Sequence, residues 1–377
     1  MERYHLPVTG GRMRKFYTLD GLRGVAALAV AYSHFANNGL LPKLLPRFYL
    51  AVDLFFVLSG FVIAHAYEQK LKASGYRRGW YVAARALRLG PMHVLGVVLG
   101  VASLLAFDYI WGLAPQIIDR LEAGGQTLAF WPTVDLADPR HVNAYPANGP
   151  VWSLALELWV NLIYGFFVVS LTTGRLRWIV ALAGLAVTGV AMWTGANASG
   201  GDVNNVHLGV PRVVFGFFLG VLMYRAHAAG RLKLPGLPAW LLGVLVIAVL
   251  WVPAVKDNVL NGLADAGLSL FALPLIVALA LNGGSGDDPP TRFLARLSYP
   301  IYVCHFPFVM PFKSLMLRYG HGEVYGAVGL GLAILVAVVA ERWYDAPLRA
   351  WAKRFLPRGP SVAPEASALA NLPPSAA

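Results

Sequence analysis

Cysteine and charged residues are both scarce in this chain. Cys304 is the single cysteine among 377 residues, which excludes an internal disulfide and a cysteine-rich metal site. Only 13% of the residues are charged, whereas soluble domains carry about 25%. The composition is therefore not that of a soluble domain.

Apolar residues are abundant instead. They make up 57% of the chain, the mean hydropathy is +0.58, and apolar stretches of about 20 residues recur along most of the sequence. This pattern predicts an all-α, polytopic bundle of transmembrane helices. We predict ten spans, at residues 18–38, 48–68, 86–107, 150–171, 177–195, 207–225, 238–255, 265–282, 297–316 and 323–343.

The excess of basic residues indicates how the chain is oriented. The net charge is +12, from 31 basic and 19 acidic residues. The sequence contains no basic module interleaved with aromatic residues, so nucleic-acid binding is not indicated. With the amino terminus inside, segments predicted to be cytoplasmic hold 22 lysines and arginines, and those predicted to be outside hold eight. Basic residues concentrate in cytoplasmic loops, so both termini are predicted to be cytoplasmic.

Three regions follow from this organisation. Residues 1–17 are predicted to be a cytoplasmic tail, and residues 18–350 the transmembrane domain. Residues 357–377 are rich in Pro, Ala and Ser, a composition typical of disorder.

A charge and an imidazole interrupt the first apolar stretch at Arg23 and His34. An intramembrane arginine costs about 2.5–3.5 kcal/mol on insertion scales, so such residues are usually functional or paired. A separation of eleven residues puts both on one helix face, about 16 Å apart along the axis. We interpret this face as the lining of a cavity, with His34 as a candidate general base. The alternative is a packing histidine and a structural ion pair. Four carboxylates are candidate partners of Arg23: Asp20, Asp53, Glu157 and Glu341.

Arginines precede and open the third predicted span at Arg78, Arg85 and Arg88. Arg85 and Arg88 share a helix face, and paired guanidinium groups can bind phosphates bidentately. Coenzyme A, a phosphorylated lipid and a nucleotide sugar all carry phosphate, so these arginines do not discriminate between them as candidate ligands. The simpler interpretation is a basic flank that only sets the orientation.

Later spans carry further polar side chains. The fourth opens with Trp152 and Glu157, and an intramembrane carboxylate either pairs or stays protonated. In the ninth, Ser298, Tyr302 and His305 are three or four residues apart and share one face. The histidines show no metal-ligand spacing, so no metal is expected.

These segments together resemble the acyltransferase-3 family of bacterial membrane proteins. The resemblance lies in the stretch with Arg23 and His34, Asp53–Phe61, the Arg-x-x-Arg-x-x-Pro motif at 85–91, Trp-Ser-Leu…Glu at 152–157, Ser-Tyr-x-x-Tyr-x-x-His at 298–305 and the motif that begins at Glu341. It implies catalytic roles for His34, Arg23 and Glu341, with Glu341 as the preferred partner that orients His34. It also implies donor binding by Arg78, Arg85 and Arg88, and a pocket formed by Asp53, Trp152, Glu157, Tyr302 and His305.

The resemblance implies transfer of an acyl group, most often acetyl, from cytoplasmic acyl-CoA. The acceptor would be a hydroxyl of a glycan, a glycolipid or another small molecule at the outer face of the bacterial inner membrane. Membrane lipids are then expected partners, and nucleic acid is not. Two alternatives stay open: a transporter or flippase for a polar solute, and a transferase with a lipid-phosphate donor.

Overall fold

The computed structural model of the protein describes residues 16–73, 78–114, 117–133, 143–283 and 287–355. Fourteen α-helices fill these ranges: α1 Tyr17–Asn37, α2 Ala51–Lys72, α3 Arg78–Ile110, α4 Ile117–Leu128, α5 Val151–Phe167, α6 Thr173–Thr194, α7 Val210–Ala228, α8 Ala239–Trp251, α9 Asn258–Gly267, α10 Leu273–Asn282, α11 Pro289–Cys304, α12 Phe306–Tyr319, α13 Gly322–Ala340 and α14 Ala346–Ala352. Within the described ranges there is no β-strand, only one isolated bridge between Asn143 and Asp202. The all-helical prediction is confirmed.

The ten predicted spans coincide with helical structure, but the helices differ in length. Six helical segments of the described chain are long and apolar enough to cross a membrane: Phe48–Lys72, Arg78–Ile110, Thr173–Thr194, Val206–Ala228, Asn258–Asn282 and Gly322–Ala352. Helices α5 and α8 are apolar but shorter. The fold is therefore that of a multi-pass membrane protein, while ten spans and cytoplasmic termini stay predictions. Both predicted tails lie mainly outside the described residues.

Helix α1 lies along α11, and the two run in the same direction. Near their beginnings, Gly21 approaches the side chain of Thr291. Near their ends, the ring of His34 contacts the ring of His305. This pairing brings the first and the ninth predicted spans together, although about 270 residues separate them in sequence.

Helix α2 runs opposite to α1. The Phe16 ring contacts Phe61 at one end, and His34 contacts Phe48, just before α2, at the other. Hydrogen bonds show that α5 runs parallel to α2. Helix α3 runs parallel to α11, because Leu89 contacts Tyr299 and Gly96, further along α3, lies against Val303. The bundle thus has two ends. The "Arg85 end" contains the beginnings of α1, α3 and α11, and the "His34 end" contains the beginnings of α2 and α5.

The ninth predicted span is interrupted at His305, between α11 and α12. Pro307 has no N–H, so it cannot donate to the carbonyl of Val303 four residues earlier. That carbonyl instead accepts a hydrogen bond of 2.8 Å from Nδ2 of Asn148. The proline therefore breaks the helix where His305 meets His34.

Candidate active site

A cavity of about 260 Å³ lies between α1, α2, α3, α5 and α11. Five residues that the sequence analysis selected line it: Arg23, Arg85, Arg88, Glu157 and Tyr302. Polar neighbours beside them are Asp20, Ser59, Ser153, Ser298 and Tyr299. Residues from five separate segments of the chain thus face one space.

The cavity opens at the Arg85 end and is closed at the other. The side chains of Asp20 and Arg23 are 44% and 23% exposed. In contrast, Phe55 and Tyr302 are each only 9% exposed. A ligand from solution therefore has access past the arginines, and its far end would meet Phe55 and Tyr302.

Arginines dominate the open end. Arg85 is buried, and its Nε has no hydrogen-bond partner within the described residues. The guanidinium of Arg88 lies over the Tyr299 ring at 5.6 Å, and Nη1 of Arg23 lies 3.7 Å from Asp20. A buried guanidinium nitrogen without an acceptor is unfavourable, and a bound phosphate would supply acceptors in a suitable geometry.

Hydroxyl and aromatic groups form the closed end. The hydroxyls of Ser153 and Tyr302 are 2.5 Å apart, and Tyr302 also donates to the Pro150 carbonyl at 3.3 Å. The Phe55 ring meets the Tyr302 ring edge-on, with centroids 5.3 Å apart. Tyr302 is thus held from two sides, by hydrogen bonds and by an aromatic contact.

The Phe55 and Tyr302 rings form a wall at the closed end of the cavity. Two histidines lie beyond this Phe55–Tyr302 wall. The ring of His305 is 6.1 Å from that of Tyr302 and 5.1 Å from that of His34. His305 is fully buried, whereas His34 is half-buried. Tyr302 therefore lies between the cavity and the two histidines, which are nearer to the His34 end of the bundle.

Hydrogen bonds identify the tautomers of this pair when both rings are neutral. A carbonyl can only accept, so Nδ1 of His305, 2.8 Å from the Ile301 oxygen, carries a proton. Nε2 of His305 is then an acceptor for Nδ1 of His34, 3.0 Å away. The Val30 oxygen, also 3.0 Å from Nδ1 of His34, agrees with a proton there. The lone pair available for catalysis is therefore on Nε2 of His34.

Glu341 and Arg78 lie away from the positions that were expected of them. Gly329 of α13 is level with Phe35, next to His34, and Glu341 follows about 18 Å further along the helix toward the Arg85 end. The ring of His34 is oriented by His305 and a carbonyl rather than by Glu341. Arg78 is exposed, with its guanidinium over the Phe166 ring, and does not line the cavity.

Asp53 and Trp152, predicted as pocket residues, belong to a buried network beside the cavity. Asp53 accepts from Nε and Nη2 of Arg212 at 3.0 and 2.8 Å. The Arg212 guanidinium lies over the Trp152 ring at 5.5 Å. Asn197 and Ser269 complete the hydrogen bonds of the carboxylate. Asp53 thus joins helices rather than facing the cavity.

Several residues of the site escaped the sequence analysis as functional candidates. Ser59 donates to Glu157 at 2.6 Å, and Tyr299 donates to the Leu89 carbonyl at 2.7 Å. Ser153 was noted only as part of the Trp-Ser-Leu…Glu motif at 152–157. The available signal was their position, because each lies within or next to a motif that was already noted. Across the part of the chain described, no three His, Cys, Asp or Glu side chains group as a metal site would require.

A helical membrane bundle with an arginine-lined cavity and a histidine carrying a free lone pair has the parts of a group-transfer enzyme. The family model described as "Acyltransferase domain" matches residues 16–342. The chain belongs to the acyltransferase-3 family, and the resemblance seen in the sequence is confirmed.

Individual relatives agree with this assignment. The chain is 26% identical to acyltransferase MdmB of Streptomyces mycarofaciens over 87% of its own length and 89% of the relative's. It is 23% identical to a Staphylococcus aureus protein named "Putative O-acetyltransferase", over 94% of its own length but only 60% of the relative's. A 159-residue stretch is 41% identical to "Protein 2 in picA locus" of Rhizobium radiobacter, covering 40% of this chain and 81% of that protein. No solved structure matches the chain.

Proposed function

We propose that this protein transfers an acyl group, in the first place acetyl, from cytoplasmic acyl-CoA to a hydroxyl of a glycan, a glycolipid or another small acceptor at the outer face of the inner membrane. The observation that carries the proposal is the alignment of an arginine-lined cavity with the His34–His305 pair beyond its closed end. The names of the relatives, an acyltransferase and an O-acetyltransferase, support the reaction class.

The donor enters with its phosphates at Arg23, Arg85 and Arg88. Guanidinium groups bind phosphate by charge-assisted, bidentate hydrogen bonds. The pantetheine arm then follows the cavity, and the thioester comes to the closed end near Tyr302. In this scheme Arg23 acts in donor binding. The Tyr302 hydroxyl accepts from Ser153 and turns its single proton from the Pro150 carbonyl to the oxyanion that forms on the thioester carbonyl.

His34 acts as the general base on the acceptor. The acceptor oxygen attacks the thioester carbon while Nε2 of His34 takes its proton. The tetrahedral intermediate then collapses, the C–S bond breaks, and CoA leaves as a thiolate that regains a proton from His34 or solvent. Protonated His34 keeps its Nδ1 hydrogen bond to the neutral ring of His305, which stabilises the positive charge. His305 rather than Glu341 is thus the orienting partner.

The rings of Phe55 and Tyr302 lie between the cavity and the histidine pair. Transfer therefore requires one of these rings to turn aside when donor and acceptor are both bound. Closure of this wall at other times keeps water on the His34 side away from the thioester.

The base assignment is tested by acyl transfer in proteoliposomes that contain purified protein, labelled acetyl-CoA and extracted envelope glycans. We expect His34→Gln to bind donor normally and to lose about 10²–10⁴-fold of the transfer rate, as is typical when a general base is removed. We expect His305→Leu to lose about 10- to 150-fold, the value of one charge-assisted hydrogen bond, with an altered pH–rate profile. Normal transfer by well-folded His34→Gln would falsify the assignment. Solute movement without thioester cleavage would favour the transporter alternative.

A further inference from the structure

The closed end of the cavity bears on the length of the acyl group that the site can accept. We propose that Phe55 limits the length of the acyl chain, so that the site accepts acetyl and rejects acyl groups several carbons longer. This inference rests on the proposed function, because it takes the cavity as the acyl-CoA site. Beyond that function, it names the acyl chain as the part of the donor that is selected and Phe55 as the residue that selects it.

Depth in the cavity follows from the directions of the helices. On α2, which begins at the His34 end, Ile63, Ser59 and Phe55 lie progressively deeper from the open mouth. On α11, which runs the opposite way, Ser298 precedes Tyr302. Two antiparallel helices thus place Phe55 and Tyr302 at the same depth, opposite the arginines.

The two residues differ in how firmly they are fixed. Tyr302 is tied to Ser153 and to the Pro150 carbonyl by hydrogen bonds, and its ring also contacts His305. Phe55 has no polar group and is held by packing alone. Changing Phe55 therefore alters the volume of the closed end without breaking the hydrogen bonds of Tyr302.

At this closed end, donor binding should depend strongly on the length of the acyl chain. The cavity holds about 260 Å³ in total, and its interior is closed by two buried rings rather than by solvent. Each methylene that a close-fitting apolar pocket gains or lacks changes substrate preference by about 10- to 200-fold. An acyl chain longer than acetyl would have to displace the Phe55 ring or withdraw the phosphates from the arginines.

The test measures displacement of labelled acetyl-CoA from detergent-purified protein by acetyl-, butyryl- and hexanoyl-CoA. The variants are Phe55→Ala and the milder Phe55→Leu, which covers the case that the alanine variant is unstable. Val62→Ala is the matched control, because Val62 lines the same cavity seven residues along α2, nearer the mouth. Folding of each variant is checked by its melting temperature.

We expect the unaltered protein to bind hexanoyl-CoA at least tenfold more weakly than acetyl-CoA, in line with the effect of single methylenes. Phe55→Ala should remove most of this difference, Phe55→Leu part of it, and Val62→Ala none. Equal affinities for all three donors in the unaltered protein, or an unchanged difference in both Phe55 variants, would overturn the inference and leave the proposed donor intact. Failure of the unaltered protein to bind any acyl-CoA would instead overturn the proposed donor.

Discussion

Arg85 is the residue on which donor recognition can be examined most directly. Its side chain is buried and one of its nitrogens lacks a partner within the described structure, so an anionic ligand has a ready place to bind. We predict that Arg85→Ala weakens binding of acetyl-CoA by about tenfold or more, since each charge-assisted hydrogen bond contributes about 1.5–3 kcal/mol. Binding is measured by calorimetry on the purified protein.

Arg78 provides the matched control for this experiment. It lies two turns earlier on α3, is exposed and points to Phe166 instead of the cavity. Arg78→Ala should leave donor binding nearly unchanged. The substitution Arg85→Ala should weaken the binding of dephosphorylated CoA analogues less than it weakens the binding of CoA. An equal loss in Arg78→Ala would mean that general positive charge, not a contact within the cavity, attracts the donor.

Much of the cavity could be predicted residue by residue. Helical periodicity placed Arg23 with His34, and Arg85 with Arg88, on common faces. The three arginines do line the cavity, whereas His34 lies beyond its closed end, against His305. Periodicity does not identify the helix that lies opposite a face. For that reason the partner of His34 was expected to be Glu341, while the structure pairs it with His305. Asp53 pairs with Arg212 in the same way, across 159 residues of sequence.

Between helices, the closeness of α2 and α7 depends on Gly60. A Cβ at this position would lie only 1.9 Å from the carbonyl oxygen of Phe217, so the two backbones would have to separate. We predict that Gly60→Ala destabilises the protein by about 1–3 kcal/mol, the usual cost of overpacking. The melting temperature in detergent is the measurement.

Gly331 in α13 is the corresponding control, since nothing lies within 4 Å of a Cβ there. Gly331→Ala should be neutral or stabilising by up to about 1 kcal/mol, because alanine has the higher helix propensity. A melting temperature of Gly60→Ala equal to that of Gly331→Ala would contradict the close approach of α2 and α7.

At the scale of elements, hydropathy located the helices better than it located their ends. Helix α3 already includes Arg78, eight residues before the predicted span at residue 86, because arginines are good helix formers even where they are too polar for an apolar window. The ninth span was predicted as continuous, but Pro307 and the Asn148 amide divide it. The proline could be seen in the sequence, whereas the amide that compensates for it comes from a distant segment.

Taken as a whole, the molecule separates its chemistry between two ends. The arginines lie at one end of the bundle and the histidine pair nearer the other, with the Phe55–Tyr302 wall between them. Such an arrangement suits a reaction whose donor and acceptor occupy different compartments. It has this meaning only if the Arg85 end faces the cytoplasm, where acyl-CoA is made.

The orientation of the whole molecule is therefore the decisive prediction. The split of 22 basic residues against eight favours an Arg85 end that is cytoplasmic. Because Cys304 is buried, single cysteines can be introduced at exposed positions with little background labelling. Ala198 precedes α7 at the His34 end, and Lys233 follows it at the Arg85 end.

In intact cells, a membrane-impermeant maleimide should label Ala198→Cys and not Lys233→Cys. Permeabilised cells should show labelling of both, and the unaltered protein serves as the background. Labelling of Lys233→Cys from outside would place the mouth of the cavity away from cytoplasmic acyl-CoA. The arginines would then have to bind a phosphate carried by a lipid or by an external solute, and the proposed donor would be wrong even if the histidine chemistry were right.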